Sequence, residues 1–428
     1  MKIQVFSLAP LVAALSVATT AVTADEMTPT NAPPKSFWER DTLTGDWGGV
    51  RTTLTDHGVD FSPAYTGEVL GNIAGGKYGT GAVYDHSLNL PLTVDLEKLA
   101  GWSGVTFHAN AFWIAGESLS EKCVGDIGNV SNIAAEPAVR LQEFWLQQEF
   151  WQSKISLRAG QLAADSEFFA ANSSALFVNG AFGAFPLIAA NLPNPPVYPL
   201  AAPAVRLKLQ PDPRFYFQAA IFAGDSGSQE NNPSGINFRV ASGDGALIFS
   251  EIGFLPRANQ TNALATTLKA GSFVLTKRTP DWNTQISGSG GGAANFGFYG
   301  VAEQDLFQHD ARKISAFLRG GCAPPSRNMV DWYFDAGINF TGLVSNRAQD
   351  VAGLAVSRSQ FSDDFSRYSQ VVNGESAHDS EIVVETTYRA QITPWWTVQP
   401  DAQFIVTPGG DRSCQNAFVI GLRTGIVF

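Results

Sequence analysis

Acidic, basic and aromatic side chains lie close together in one part of the chain, at spacings that would put them on one face of neighbouring extended segments. In the stretch LQEFWLQQEF, Glu143 and Trp145 are two residues apart, and Arg158 follows in the next extended segment. Asp165 and Glu167 come shortly after that segment. Carboxylates and guanidinium groups exchange hydrogen bonds with polar solutes, and aromatic rings can cover apolar faces. These five residues are predicted to form one wall of a solute-binding constriction.

Further charges fall on what alternation makes the same face of later segments. Arg319, Glu385, Arg389 and Arg423 are predicted to form the opposite wall, and Asp335 shares their face, as do Arg206, Lys208 and Asp401. Such charges would be very costly in a dry core without partners, but they cost little where they line water. The pattern therefore predicts a water-filled interior. The alternative for each charge is a wall residue that pairs with a neighbour and has no part in binding.

Patterns for bond-making chemistry do not accompany these charges. The sequence has no GxSxG and no credible Ser/His/Asp arrangement, and two acids among 39 do not define a glycosidase. Five scattered histidines make no metal cluster. The acids of SDDFSRYS, 362–369, are a weak calcium candidate and more typical of a solvated loop. We therefore expect that the protein is not an enzyme and binds no cofactor. The alternative is a secreted or outer-membrane hydrolase.

Short stretches of alternating apolar and polar residues carry all of these side chains. In DWYFDAGINFTG, Trp332, Phe334 and Ile338 share one face while Asp335 lies on the other. This period of two is typical of β-strands. Sixteen such strands are predicted, near 60–70, 86–96, 103–114, 141–150, 153–161, 203–209, 214–223, 247–254, 264–275, 294–301, 313–320, 331–343, 351–356, 381–392, 395–406 and 416–428.

The connections between these segments tend to alternate between short and long. Short ones include 97–102 and 151–152, and long ones include 115–140, 224–246 and 357–380. Beyond the N-terminus, no apolar run approaches the ~20 residues of a transmembrane helix. Outer-membrane barrels have an even strand count, short periplasmic turns and longer external loops, which a soluble β-sandwich has no reason to show. The prediction is an all-β, sixteen-stranded antiparallel transmembrane barrel over residues 60–428.

One long connection, residues 162–202, has an unusual composition. Its sequence, LAADSEFFAANSSALFVNGAFGAFPLIAANLPNPPVYPLAA, is rich in apolar and aromatic residues and carries little charge. A solvated loop of this length and composition is atypical. We therefore predict that it folds into the barrel and constricts it. The alternative is a hydrophobic lid or a subunit contact at the outer surface.

Both ends of the chain are consistent with export to a membrane. Residues 1–24 are predicted to be a signal peptide cut after Ala24, which would leave 404 residues and take the net charge from −11 to about −12. This acidic balance argues against a nucleic-acid partner. Residues 25–59 are expected to form a periplasmic segment. The chain ends in the strand NAFVIGLRTGIVF, which would close the barrel, and we expect the barrel-assembly machinery to read this strand ending at Phe428.

Three cysteines are too few for a disulfide framework in an exported protein. Cys123, Cys322 and Cys414 all fall in predicted external loops. A Cys322–Cys414 bridge is one possibility that the spacing leaves open.

Three blocks of the sequence resemble the carbohydrate-selective porin family of Gram-negative bacteria, the OprB family. They are LTGDWGGVRTTLTDHGVDF with the following YTGEVLGNIAGG, LQEFWLQQEF with the following RAGQLAADSEFFAANSSALFVNGAFG, and TPWWTVQPDAQFIVTPGG with the ending NAFVIGLRTGIVF. Their order and spacing match along nearly all of the mature chain, although residues 224–300 match only loosely. The resemblance implies a sixteen-stranded outer-membrane barrel that takes up monosaccharides and related sugars passively.

A sugar pore needs rings for the apolar C–H faces and charged or amide groups for the hydroxyls, and its binding must stay weak. Under the resemblance, the residues identified above would line such a pore. Trp145 has the alternative of joining Trp113, Trp332, Trp395 and Trp396 in the aromatic girdles at the membrane interfaces. The partners implied are monosaccharides such as glucose, outer-membrane lipid and lipopolysaccharide. Homo-oligomerisation, a non-selective general porin and a plugged barrel stay open.

Overall fold

A closed barrel of sixteen antiparallel strands dominates the computed structural model, which describes residues 35–256 and 264–428. Each strand pairs with the next along the chain, and the last pairs with the first, so that Arg423 lies opposite Glu68. Because the barrel is closed, no strand edge leaves its backbone N–H and C=O groups without partners in lipid. The predicted sixteen-stranded fold is confirmed.

Each of the sixteen predicted segments overlaps one barrel strand, although several strands extend well beyond the predicted bounds, most of all the strand at 292–309, which was predicted at 294–301. A short strand, β1 (Val59–Phe61), precedes β2 and pairs with β3 in the same register as β2. The barrel strands are β2 (Ala64–Gly76), β3 (Gly81–Asp95), β4 (Val105–Gly116), β5 (Ala138–Phe150), β6 (Ile155–Leu162), β7 (Ala202–Asp212), β8 (Phe215–Ala223), β9 (Ala246–Phe254), β10 (Thr266–Pro280), β11 (Gly292–His309), β12 (Arg312–Cys322), β13 (Val330–Thr341), β14 (Val351–Phe361), β15 (Ser380–Thr393), β16 (Trp396–Val406) and β17 (Gln415–Val427).

Side chains alternate between a lipid-facing surface and the barrel interior. Leu318 on β12 and Leu422 on β17 are exposed on the outside, at 54% and 52% of their surface. Their neighbours Arg319 and Arg423 point inward, where Arg319 is buried. The strands thus place the predicted charges on the inner face, as their alternation requires.

Long and short connections tend to alternate, as the sequence predicted, but 255–265 and 342–350 on the short side are longer than 323–329 on the long side. The connection 77–80 between β2 and β3 is short although it lies among the long ones. Its backbone pairs with a longer neighbour, since the amides of Lys77 and Tyr78 donate to the carbonyls of Val124 and Cys123, each at 2.9 Å. At Gly76 the backbone φ is +82°, and a Cβ atom would lie 2.7 Å from the Cys123 oxygen. Glycine is therefore required where the two loops meet.

Helices are short and lie in the connections and the N-terminal segment. They are α1 (Val50–Asp56), α2 (Leu96–Ala100), α3 (Ala181–Ala184), α4 (Pro186–Ala189), α5 (Trp282–Ser287) and α6 (Asp363–Tyr368). No helix in the described part of the chain is both long and apolar enough to cross a bilayer. The helix α1 meets the chain end, because Arg51 donates to the Phe428 carbonyl oxygen at 2.7 Å.

Two sequence predictions concern covalent features of the chain. The predicted signal peptide, residues 1–24, lies outside the described residues. The possible bridge between Cys322 and Cys414 is not formed, since these two cysteines and Cys123 are all free thiols.

Candidate functional site

The connection between β6 and β7, residues 163–201, lies inside the barrel and is called here the inserted loop. Its phenylalanines are fully buried, among them Phe169, Phe177 and Phe185. Packing against the inner wall covers these rings, which explains why so apolar a loop occurs in this chain. The loop narrows the lumen.

Carboxylates on the inner wall hold the backbone of the inserted loop. Glu385 accepts hydrogen bonds from the amides of Val178 and Asn179 at 2.6 and 2.9 Å. Glu251 accepts from the amide of Phe169 at 3.0 Å, and Glu303 from that of Ser173 at 2.8 Å. Hydrogen bonds from backbone amides stabilise buried carboxylates and satisfy loop donors that water cannot reach. These wall acids therefore position the loop.

A buried ion pair between β12 and β13, among the strands that carry these acids, holds the same loop. Arg319 donates from Nε to both carboxylate oxygens of Asp335, at 3.1 and 3.0 Å, and from Nη2 to the Phe182 carbonyl at 2.6 Å. Tyr333 donates to the carbonyl of Ala181 at 2.8 Å. A buried pair is tolerated only when its remaining hydrogen-bonding groups are satisfied, and the loop carbonyls fulfil that role here.

A second connection, residues 117–137 between β4 and β5, also enters the barrel and is called here the companion loop. Glu381 accepts from the amides of Ile127 and Gly128 at 2.8 and 3.0 Å. Arg423 donates to Glu68 at 2.5 Å and to the amide oxygen of Asn132 at 2.8 Å. The sequence analysis did not predict that this loop folds inward.

The two loops and the facing strands enclose a cavity of about 600 Å³, called here the loop-walled chamber. This volume falls within the roughly 300–1,000 Å³ typical of small-molecule sites. Its lining combines small apolar residues with amides and hydroxyls; the polar members include Thr66, Ser87, Asn89, Asn129, Ser131, Asn132, Asn172, Ser174 and Tyr198. Such groups can both donate and accept hydrogen bonds, which suits a solute with several hydroxyls.

A cluster of ion pairs lies beside the base of the inserted loop. Glu167 lies between two guanidinium groups, 2.5 Å from Arg158 and 2.6 Å from Arg206. Gln147 accepts from the same two arginines at 2.9 and 2.8 Å. The guanidinium carbon of Arg158 lies 3.7 Å from the ring centre of Trp145.

This cluster borders a second cavity of about 480 Å³, called here the basic chamber. The basic chamber lies near the strand ends that short turns connect, with Ser153 of the β5–β6 turn in its wall. Asn172 of the inserted loop lines both chambers. A solute that moves from one chamber to the other would therefore pass this amide.

Comparison with known proteins identifies the family. The model of the carbohydrate-selective porin family, OprB, matches residues 79–428. The chain belongs to this porin family. Porin B of Pseudomonas aeruginosa is 28% identical over 438 residues, which cover 92% of this chain and 92% of that protein.

Another relative and a solved structure agree with this family. The putative porin QuiX of Acinetobacter baylyi is 24% identical over 453 residues, or 97% of this porin and 99% of the relative. The high-pH structure of Pseudomonas putida OprB superposes with a TM-score of 0.83 at 25% identity and covers 92% of this porin and 100% of that chain. The resemblance seen in the sequence is confirmed, and the porin is an outer-membrane protein.

Four of the ten predicted site residues of the porin lie around the base of the inserted loop. Arg158 and Glu167 form an ion pair, and Trp145 stacks on Arg158. Glu143 accepts from the amide of Ala163 at 3.3 Å, so it meets the same loop base. Asp165 lines the loop-walled chamber and accepts from the amide of Tyr198 at 2.8 Å.

The residues predicted for the opposite wall lie in three different surroundings. Arg319, Asp335 and Glu385 lie buried under the inserted loop, and Arg423 binds the companion loop. Arg389 faces inward, is half-buried, and forms no ion pair with any described residue. Contact with a solute stays a prediction for all ten residues.

Sequence reasoning missed several groups that the porin brings to the two chambers. Lys269 and Gln147 line the basic chamber, and Asn172 lines both. Alternation along β5 and β10 could have placed Gln147 and Lys269 inside. Asn172 lies in an irregular loop, where no periodic pattern indicates which side chains face water.

Proposed function

We propose that the porin conducts monosaccharides and related sugars across the outer membrane by passive diffusion. The observation that carries this proposal is that the two chambers share Asn172. Together, the two chambers would form a narrowed path that amides and hydroxyls line. A sugar can exchange hydrogen bonds along such a path without a single strong site. Weak binding at several sites lets a solute both enter and leave.

Each end of the path has its own proposed role. Asp165, Asn132 and Asn172 bind sugar hydroxyls in the loop-walled chamber. Arg158 and Glu167 bind them in the basic chamber. Trp145 is only 8% exposed, and His108 stacks on its ring at 4.8 Å, so its proposed role is to orient Arg158 and not to receive a sugar face.

The other wall residues have supporting roles in this proposal. Arg319, Asp335 and Glu385 keep the inserted loop in the pore, and Arg423 keeps the companion loop there. Arg389 adds an inward positive charge. The protein transports and does not catalyse.

The proposal extends to how the porin reaches the membrane and what surrounds it. The signal peptide is cut after Ala24, and the barrel-assembly machinery reads the strand that ends at Phe428. Lipid and lipopolysaccharide cover the apolar outer face. Association into homo-oligomers is compatible with the proposal and is not required by it.

Liposome swelling with the purified porin tests the proposed function. Glucose, a disaccharide and an amino acid of similar size to glucose are compared at equal osmolarity. Fast swelling with glucose and slow swelling with the amino acid is the expected result. Equal rates for glucose and the amino acid would mean a general sieve, and no swelling with any solute would mean a plugged barrel.

A further inference from the structure

The basic chamber has more positive than negative groups in its wall. Its basic residues are Arg158, Arg206, Lys208 and Lys269, and its acidic residues are Glu149 and Glu167. Glu251 lies close by but is 1% exposed, and its oxygens accept from Tyr216, Gln218, Tyr299 and the Phe169 amide. The chamber therefore presents a net positive wall to water.

The two arginines share one carboxylate, whereas the two lysines have none. Glu167 forms ion pairs with both Arg158 and Arg206. Lys269 donates to the carbonyl of Ala170 at 2.8 Å, and Lys208 lies 4.7 Å from the Tyr216 ring centre. Neither ammonium group forms an ion pair with any residue in the described ranges.

This excess charge lies on the proposed path of the solute. The chamber borders the inserted loop and shares Asn172 with the loop-walled chamber. A cleft that presents one sign of charge between low-dielectric walls raises the local concentration of opposite charges by about tenfold or more. A neutral sugar gains nothing from such a field, but an anion does.

We propose that this porin takes acidic sugars, which are polyhydroxylated monocarboxylates, in preference to neutral sugars of the same size. The carboxylate of the solute is drawn to Lys208 and Lys269, while its hydroxyls exchange hydrogen bonds with the amides of Gln147 and Asn172. The inference rests on the proposed function, because it needs a pore that passes sugars. It adds the charge of the substrate.

Zero-current potentials across a planar bilayer measure whether the pore favours a sugar acid over a cation, which the proposal requires. A concentration gradient of potassium gluconate is set across the membrane, and the potential gives the permeability of gluconate relative to potassium. We expect gluconate to be favoured over potassium by about tenfold at low salt. The preference should shrink as the Debye length falls from about 10 Å at 0.1 M salt to about 3 Å at 1 M.

Two variants assign the preference to the chamber. Lys208→Gln, and then Lys208→Gln with Lys269→Gln, should lower the relative gluconate permeability in two steps. The matched control is Lys122→Gln with Lys277→Gln, which removes the same charge from residues that pair with Glu117 and Asp244 outside the chamber. The control should behave as the unaltered porin.

Glucose swelling of the same proteins separates the two proposals. Lys269 contacts the inserted loop, so a changed rate of glucose swelling in the double variant would indicate that the loop has moved. In that case, the gluconate permeability of Lys208→Gln alone decides whether the chamber causes the preference. Cation preference in the unaltered porin, or equal gluconate permeability in Lys208→Gln and the control, would overturn the inference. A porin that prefers gluconate but passes no glucose would overturn the proposed function for neutral sugars alone.

Discussion

Single residues set the chemistry of the pore through their pairing. Glu167 accepts from two arginines, Glu385 accepts from two loop amides, and Asp335 binds Arg319. An inward charge in this barrel thus either faces the lumen or supports a loop. Alternation places both kinds of charged residue on the inner face of a strand, and only their hydrogen-bond and ion-pair partners distinguish them.

Arg158→Met should weaken the apparent binding of glucose roughly tenfold, because a hydrogen bond to a charged group contributes about 1.5–3 kcal/mol. Methionine keeps the apolar stem over Trp145 and removes the guanidinium that pairs with Glu167. The concentration of glucose that half-blocks the ion current measures the effect. Arg412→Met, at a residue whose side chain is 65% exposed beyond the barrel, is the control. If both variants shift the half-blocking glucose concentration equally, Arg158 does not bind glucose in the pore.

Asp165 should make the inserted loop sensitive to pH. Burial raises the pKa of Asp165 from 3.8 to about 7, with the Glu143 carboxylate adding to the effect and the Tyr198 amide opposing it. Since the folded loop binds the proton more tightly, the stabilisation is fully present below the ordinary pKa and is lost as pH rises through about 7. We expect channel conductance to rise between about pH 4 and pH 7 as the loop loosens. Asp165→Asn should flatten this rise, and an unchanged profile in that variant would contradict the assignment.

At the scale of elements, the pore depends on two connections and not on the strands alone. The companion loop and the inserted loop share contacts with each other, since the amide of Asn132 donates to the carbonyl of Val178 at 2.8 Å. The carboxylates and amides of β15 and β16 hold both loops. Displacement of one loop should therefore affect the other.

Gly76→Val should displace the companion loop and raise the channel conductance. A side chain at Gly76 would meet the Cys123 oxygen at 2.7 Å, and the positive φ would add backbone strain of about 1–3 kcal/mol. Hydrogen exchange of residues 117–137 and single-channel conductance measure the result. Gly79→Val is the matched control, because Gly79 has φ of +96° but nothing within 4 Å of its added Cβ. If Gly79→Val has the same effect on both measurements, backbone strain and not the loop contact is responsible.

At the scale of the whole molecule, the barrel is stable because its outer face is apolar and its sheet has no open edge. Leu318→Arg, near the middle of β12, should lower the free energy of unfolding by about 2–4 kcal/mol, because a charge there faces the bilayer. Leu343→Arg lies in the connection after β13 and should change the free energy of unfolding by about 0–1 kcal/mol. Urea titration of the two variants in lipid, followed by the heat-modifiable band on a gel, compares their free energies of unfolding. Equal losses would mean that Leu318 does not face lipid.

The sequence by itself determined the strands, their number and the faces of their side chains. The segments 331–343 and 381–392 were placed within three residues of β13 and β15, because alternation with period two is a local property of the chain. The same alternation assigned Arg319 and Glu385 to the interior. The apolar composition of 162–202 indicated an inserted loop, since water would not cover it favourably.

Only the tertiary structure decided which inward charges support loops and which face the lumen. The partners of Glu385 are the amides of Val178 and Asn179, about two hundred residues earlier in the chain, and those of Glu381 lie in the companion loop. Contacts of such separation leave no periodic pattern in the sequence. The companion loop has no strong apolar composition to indicate its burial, because its position depends on hydrogen bonds to the wall. Pairing of this kind is a property of the closed barrel, in which residues distant in sequence face one another across the lumen.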